Sequence, residues 1–226
     1  MPSGNDGRIG LTTGRAPSTH ILKTPIERLD DTVANEALCP AIGRALGIDA
    51  VTATPRRVAG REFLLVERYD RRVEDGTVRR LHQEDFCQAL GIPAARKYQG
   101  QGGPSLADGF ALLRRATAVP AQEVLKLLDQ IALGLLVANH DAHGKNSSLL
   151  YLPGTADAVL APAYDVLSTF AYRRSHNLSR KMAMSIGGEY RPDDLQPRHL
   201  NRLLAEAGLG PAAARRRLLS HAEAAP

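Results

Sequence analysis

An aspartate five residues ahead of an asparagine is the arrangement in this chain best suited to chemistry: Asp141 and Asn146, within Asn139-His140-Asp141-Ala142-His143-Gly144-Lys145-Asn146. At that spacing one loop can present a carboxylate to a hydroxyl proton and an amide oxygen to a hard divalent cation. A second carboxylate, Asp165, closes the downstream run Leu160-Ala161-Pro162-Ala163-Tyr164-Asp165 and would serve the same cation. Asp and Asn are common in loops, so the spacing alone is weak. Its flanks strengthen it. A mostly apolar helical pattern over 124–138 precedes the loop, and a short apolar strand, Ser148–Tyr151, follows it.

Helix, polar loop, strand, turn, strand and aspartate is the order in which a kinase large lobe builds its phosphate-facing floor. The pair Asp141-x-His143-x-Lys145-Asn146 and Ala161-Pro162-Ala163-Tyr164-Asp165 resembles the HipA-like serine/threonine kinases of bacterial toxin–antitoxin systems, over about His20 to Gly188. The resemblance implies a protein-kinase-like two-lobed α/β (α+β) fold, with an abbreviated β-containing N-terminal lobe and a mostly helical C-terminal lobe. It implies ATP and Mg²⁺ as cofactors and transfer of the γ-phosphate to a protein serine or threonine. Asp141 would take or orient the hydroxyl proton. Asn146 and Asp165 would hold Mg²⁺, His143 and Lys145 would lie against the transferring phosphate, and Gly144 and Tyr164 would complete the nucleotide contacts. The family setting is a growth-arresting toxin restrained by a DNA-binding antitoxin, with translation factors such as aminoacyl-tRNA synthetases as substrates. The residues themselves identify no substrate.

Composition agrees with an ordinary soluble protein: 226 residues, 43% hydrophobic, 23% charged, net charge +5. The 124–138 pattern carries Lys126, Asp129 and Gln130 and is too short and polar to span a bilayer, and the N-terminus lacks a signal-peptide centre, so the expected compartment is the cytoplasm. Cys39 and Cys87 fall in helical patterns and read as buried thiols. Arginine pairs at 71–72, 79–80, 114–115 and 173–174, and the triplet at 215–217, are dispersed. With aromatics at 4% and no tryptophan, they read as solvated faces rather than a nucleic-acid surface.

Along the chain, residues 1–18 read as a flexible lead-in. Glycines 4, 7, 10 and 14 invite a phosphate-loop reading, but three residues before Gly4 leave no strand to enter such a loop. Residues 19–70 read as a partial N-terminal lobe and hinge. Thr19–Lys23 is a strand; Val33–Leu46 is a helix with capping candidates Asp31 and Thr32, interrupted by Pro40; Val51–Val58 and Glu62–Val66 form a hairpin about Ala59-Gly60-Arg61. By the resemblance, Lys23 reaches the α- and β-phosphates and is held by Glu36, while Glu67, Arg68 and Tyr69 form the hinge against adenine. Residues 71–226 read as the helical lobe. It holds a short helix over 83–90, a glycine-rich loop from Lys97 to Pro104 near the substrate, a helix over 106–115, and terminal helices over 195–207 and 212–222.

Two rivals remain open. His140-Asp141-x-His143 contains metal-capable side chains and suits a metal-dependent hydrolase if further ligands join it. Alternatively, the chain is a catalytically impaired remnant or one subunit of a split kinase, completed by a separate polypeptide carrying the N-terminal lobe.

Overall fold

The computed structural model describes residues 10, 12–14, 16–155, 157–172, 176 and 178–224. Gly4, Gly7, Arg173 and Arg174 lie outside the described residues, as does most of the lead-in. The first sheet contains β1 (His20–Lys23), β2 (Ala53–Val58) and β3 (Arg61–Glu67), antiparallel in the order β1-β3-β2, with Lys23 opposite Leu64 and Ala53 opposite Val66. Ala59 (φ 49°) and Gly60 (φ 77°) make the tight β2–β3 turn, whose two left-handed residues match the twist of the strands. Ala53, Leu64 and Val66 bury one sheet face against Val33 and Ala37 of helix α1 (Thr32–Ala45). That helix continues through Pro40. Asp31 does not cap it: the residue is left-handed (φ 52°) and makes no side-chain cap bond, while the Thr32 hydroxyl accepts the Ile26 N–H.

The other face of α1 joins the two lobes. Cys39, Ile48 and Ala50 pack on Leu133, Val137, Ala163 and Val166. Val51 N–H donates to the Ala163 carbonyl (3.0 Å) and Ala163 N–H to that of Asp49 (2.9 Å), so the chain just before Asp165 is bonded to the first lobe.

After the hairpin of β4 (Arg71–Glu74) and β5 (Thr77–Arg80), a second sheet forms in the order β6-β7-β8 from Gln83–Asp85, Ser148–Tyr151 and Ala158–Leu160. The expected helix over 83–90 is therefore shorter. Gln83 and Glu84 pair with Leu150 and Leu149, and Asp85 starts helix α2 (Phe86–Ala89) with a reciprocal capping box to Gln88. Helices α3 (Leu106–Ala116), α4 (Pro120–Leu136), α5 (Pro197–Glu206) and α6 (Pro211–Ala224) complete the large lobe around Phe86, Phe110, Leu113, Leu128, Leu149, Leu160, Leu203 and Leu204. Pro120 opens α4 at a position that needs no N–H. Cys39 and Cys87 are free and buried. Among the described residues no helix is long and apolar enough to cross a membrane.

Glu123, in the first turn of α4, is only 3% exposed. One carboxylate oxygen accepts the Leu160 N–H (2.7 Å) and the other the Lys126 ammonium (2.9 Å), pinning β8 to the helix that carries the 139–146 loop. Glu123→Ala strands a buried N–H, and its expected cost is about 1–3 kcal/mol in urea denaturation, with Glu123→Gln recovering much of it.

Candidate active site

The site begins where β1 meets α1. The turn of α1 that buries Val33 and Ala37 directs Glu36 to Lys23, and the two form an ion pair. The Lys23 ammonium also donates to one carboxylate oxygen of Asp165 at 2.7 Å. Burial alone would lower the Lys23 pKa, but the hydrogen bonds and charges of Asp165 and Glu36 outweigh it and hold the ammonium above its ordinary range. Glu36 titrates above the usual carboxylate range, because burial and then the charge of Asp165 outweigh what Lys23 offsets. Asp165 itself is left-handed (φ 56°), a strained backbone for a residue with a side chain. Its second oxygen accepts the Asn146 amide N–H at 2.9 Å, and the Asn146 carbonyl oxygen accepts the His143 N–H at 3.1 Å.

Lys23, Glu36 and Asp165 border a cleft of about 390 Å³ between the lobes, lined also by Glu67, Arg68, Tyr69, Lys145 and Tyr164 among others. Asp141, His143, Gly144 and Asn146 do not line it. The Glu67 and Arg68 N–H groups donate to the carbonyls of Thr52 (2.9 Å) and Thr19 (3.0 Å). The Arg68 guanidinium clasps Asp70 with two bonds, at 2.9 and 2.7 Å, and Arg71 adds a third at 2.7 Å. Burial would raise the Asp70 pKa, and the two arginines reverse this and hold it below the ordinary range. Tyr69 packs on Tyr164 with ring centroids 5.7 Å apart and hydrogen bonds Gln83. Burial foremost pushes the Tyr69 phenol up to about 12. The Tyr164 hydroxyl donates to the Lys145 carbonyl (2.6 Å) and accepts from Ser148 (2.6 Å), so the two ends of the expected motif are stitched together.

Lys145 is held differently from the sequence expectation. Its ammonium contacts Asp85 at 2.7 Å, while the other Asp85 oxygen caps α2 through the Gln88 N–H (2.9 Å). Asp85, Asp70 and Tyr98 are the participants that sequence reasoning missed. The helix-start pattern Asp85-x-x-Gln88 was visible, but its second use was not. In the 139–146 loop, Asp141 N–H donates to the Asn139 side chain (3.1 Å) and His140 N–H to the Thr169 hydroxyl (2.9 Å). Asp141 is exposed, and one of its oxygens accepts the Tyr98 hydroxyl at 2.9 Å. His143 is buried, and burial first of all keeps its imidazole below its ordinary pKa despite the nearby charge of Asp141.

The donor chemistry fits a nucleotide with a hard cation. Asn146 and Asp165 offer oxygen atoms, Lys23 offers a cation beside them, and His143 Nδ1 is a buried polar atom with no partner among the described residues. The hydrolase rival requires ligands beyond His140, Asp141 and His143. Among the described residues no three His, Cys, Asp or Glu side chains could hold a metal ion.

A strand lysine held by a helix glutamate, above a loop and an aspartate from a helical lobe, defines a protein-kinase-like fold. The chain belongs to the family of the HipA-like C-terminal domain, whose model matches residues 3–226. It is 48% identical over 214 residues to the putative kinase Y4mE of Sinorhizobium fredii, covering 94% of this chain and 50% of that protein. It is 28% identical over 217 residues to the serine/threonine-protein kinase toxin HipA of Shewanella oneidensis, covering 91% of this chain and 48% of that one. A solved Shewanella oneidensis HipA, in complex with HipB and its operator DNA, superposes with a TM-score of 0.81 at 27% identity, over 91% of this chain and 50% of that one. The Helicobacter pylori proinflammatory kinase CtkA shares the fold at a TM-score of 0.56 and 12% identity, over 91% of this chain and 86% of that one. The chain spans about half the length of the curated relatives it matches. Both of these curated relatives are themselves named kinases.

Gly144 has no room for a side chain: a Cβ there would stand 2.7 Å from Pro104 Cδ and Cγ and 3.0 Å from Cys87 Sγ. Gly144→Ala is expected to destabilise the protein by about 1–3 kcal/mol through overpacking, measured by chemical denaturation. Gly100→Ala, with open space around its Cβ position, serves as the control.

Proposed function

We propose that this chain is the ATP-binding catalytic part of a HipA-like serine/threonine protein kinase, with residues 19–70 in the smaller lobe and hinge and 71–226 in the helical lobe. The observation that carries the reading is the ammonium of Lys23 shared between Glu36 and Asp165, which brings three residues distant in sequence to one edge of the interlobe cleft. Glu67, Arg68 and Tyr69 would meet the adenine, and Lys23, His143, Gly144, Lys145 and Tyr164 would shape the phosphate side. Asn146 and Asp165 would hold Mg²⁺, which when bound neutralises the phosphate charge that repels an incoming hydroxyl.

The chain's own groups do the rest. Both Asp165 oxygens are engaged, one by Lys23 and one by Asn146, so binding of the nucleotide requires these partners to exchange. Lys23 would turn from Asp165 to the phosphates while Glu36 keeps hold of it. Asn146 would present its carbonyl oxygen, which now accepts the His143 N–H. Asp141 would accept the serine or threonine proton as the hydroxyl oxygen attacks. Phosphoryl transfer needs little more than this positioning and charge neutralisation.

The structural relative, solved as a toxin–antitoxin complex with HipB and operator DNA, supports a DNA-binding antitoxin as partner, while a translation-machinery substrate and a cytoplasmic location are what the family resemblance implies. Isothermal titration with ATP is expected to show binding that requires Mg²⁺ and is abolished by EDTA; equal affinity in EDTA would count against the reading. Asp165→Ala is expected to lose this metal-dependent binding. Asp141→Ala is expected to keep it while transfer of radiolabelled phosphate falls by ~10²–10⁴-fold. An Asp141→Ala variant with near-full transfer would refute the role of that residue.

A further inference from the structure

The segment facing Asp141 is built to close tolerances. The Gly144 N–H of the catalytic loop donates to the Lys97 carbonyl at 3.1 Å, and the N–H groups of Gln101 and Gly103 both donate to the Tyr98 carbonyl at 2.9 Å. A Cβ on Gly103 would lie 2.3 Å from the Arg96 carbonyl oxygen and 2.7 Å from that of Tyr98, so the loop closes on itself only with glycine there. On the next residue, Gln99 N–H donates to the Ala183 carbonyl (3.2 Å), and the Gln99 side-chain oxygen accepts the Ser185 N–H (2.7 Å). Ala183 N–H in turn donates to the His140 carbonyl (2.8 Å). Tyr98 is thus anchored on both sides to the loop that carries Asp141.

Within this frame the Tyr98 ring stands edge-on to His143, with centroids 5.3 Å apart, and its hydroxyl donates to Asp141 Oδ1 at 2.9 Å. Among the described residues no other side chain hydrogen bonds the Asp141 carboxylate. We propose that Tyr98 is the positioning residue of Asp141: the phenol fixes one carboxylate oxygen and leaves the other to receive the substrate hydroxyl. The inference rests on the kinase reading and adds a residue to it.

An exposed carboxylate on a loop otherwise turns freely about its side-chain torsions, and a base displaced by about 1 Å can forfeit ~10²-fold in rate. A phenol on a double-anchored backbone removes that freedom. Burial first, and then the hydrogen bond and charge of Asp141, push the Tyr98 phenol up to about 12, so it stays protonated and a donor at physiological pH. The proton balance is simple. The substrate proton moves to the free Asp141 oxygen as the bond from the hydroxyl oxygen to the γ-phosphorus forms and the bond from that phosphorus to the β–γ bridging oxygen breaks, ADP leaving with the electron pair, while the phenol keeps its own proton.

The test is Tyr98→Phe in the full chain, which keeps the ring against His143 and deletes the donor. The expected result is a kcat lowered by about tenfold or more with the KM for ATP and the melting temperature unchanged. On an Asp141→Ala background the same substitution is expected to cause no further loss, because there is no carboxylate left to position. Gly103→Ala, which shifts the loop and keeps the phenol, is expected to lower kcat in the same way at unchanged ATP affinity. An active wild-type chain beside a Tyr98→Phe variant with undiminished kcat would overturn this inference and leave the kinase reading standing. So would equal losses with and without Asp141, which would mark a merely structural role. Absence of phosphate transfer by the wild-type chain would bring down the kinase reading, and this inference with it.

Discussion

The Lys23 ammonium, set between Glu36 and Asp165, is the interaction on which the rest of the structure depends. Two carboxylates brought close in a half-buried site repel each other, and a cation between them converts the repulsion into a three-residue clasp. The clasp ties β1 to α1 and both to the large lobe. Lys23 remains about a third exposed and Asp165 nearly half exposed, so water screens the arrangement and it can open. Under the proposed function, in which Asp165 would be released to a cation, such a contact suits the site better than a deeply buried ion pair.

Around this clasp the backbone is tied down by hydrogen bonds. Ala163 is hydrogen bonded to the first lobe, Tyr164 is bonded to Lys145 and Ser148, and Glu123 fastens β8 to α4. Asp165 therefore emerges in its strained conformation from a segment held on both flanks, the condition under which such strain persists. Lys145 follows the same logic. Asp85 uses one oxygen to start α2 and the other to hold the lysine, so a helix cap also fixes a side chain in the cleft.

The family likeness and the geometry speak to different levels of the same conclusion. The match over residues 3–226 gives the family, whose curated relatives are named kinases. The geometry adds a resting arrangement in which the prospective cation ligands are satisfied by Lys23, Asn146 and the His143 amide. Under the proposed function, oxygen atoms engaged in this way would pass to a ligand that competes for them, and Mg²⁺ with phosphate would be such a ligand.

The sequence by itself determined the order of elements around the site and most of their bounds. Alternation and turn residues marked the β2–β3 hairpin, apolar periodicity marked α4, and Ser148–Tyr151 is the strand that its apolar run implied. These are local signals, set by side-chain spacing and by the backbone preferences of glycine and proline. The family resemblance singled out Lys23, Glu36, Asn146 and Asp165, and the structure joins them in one chain of side-chain contacts. Local rules went wrong where a tertiary partner decided the outcome. Gln83 and Glu84 read as helix until β7 supplied strand partners, and Asp31 read as a cap until the backbone turned left-handed and left that role unfilled. Only the tertiary structure decided that Lys145 reaches Asp85, that Asp70 gathers two arginines, and that Tyr98 meets Asp141 from 43 residues away. Such contacts leave no periodic trace in the chain. They arise from loop closure and from close backbone approaches at Gly103 and Gly144, which packing fixes and sequence spacing does not.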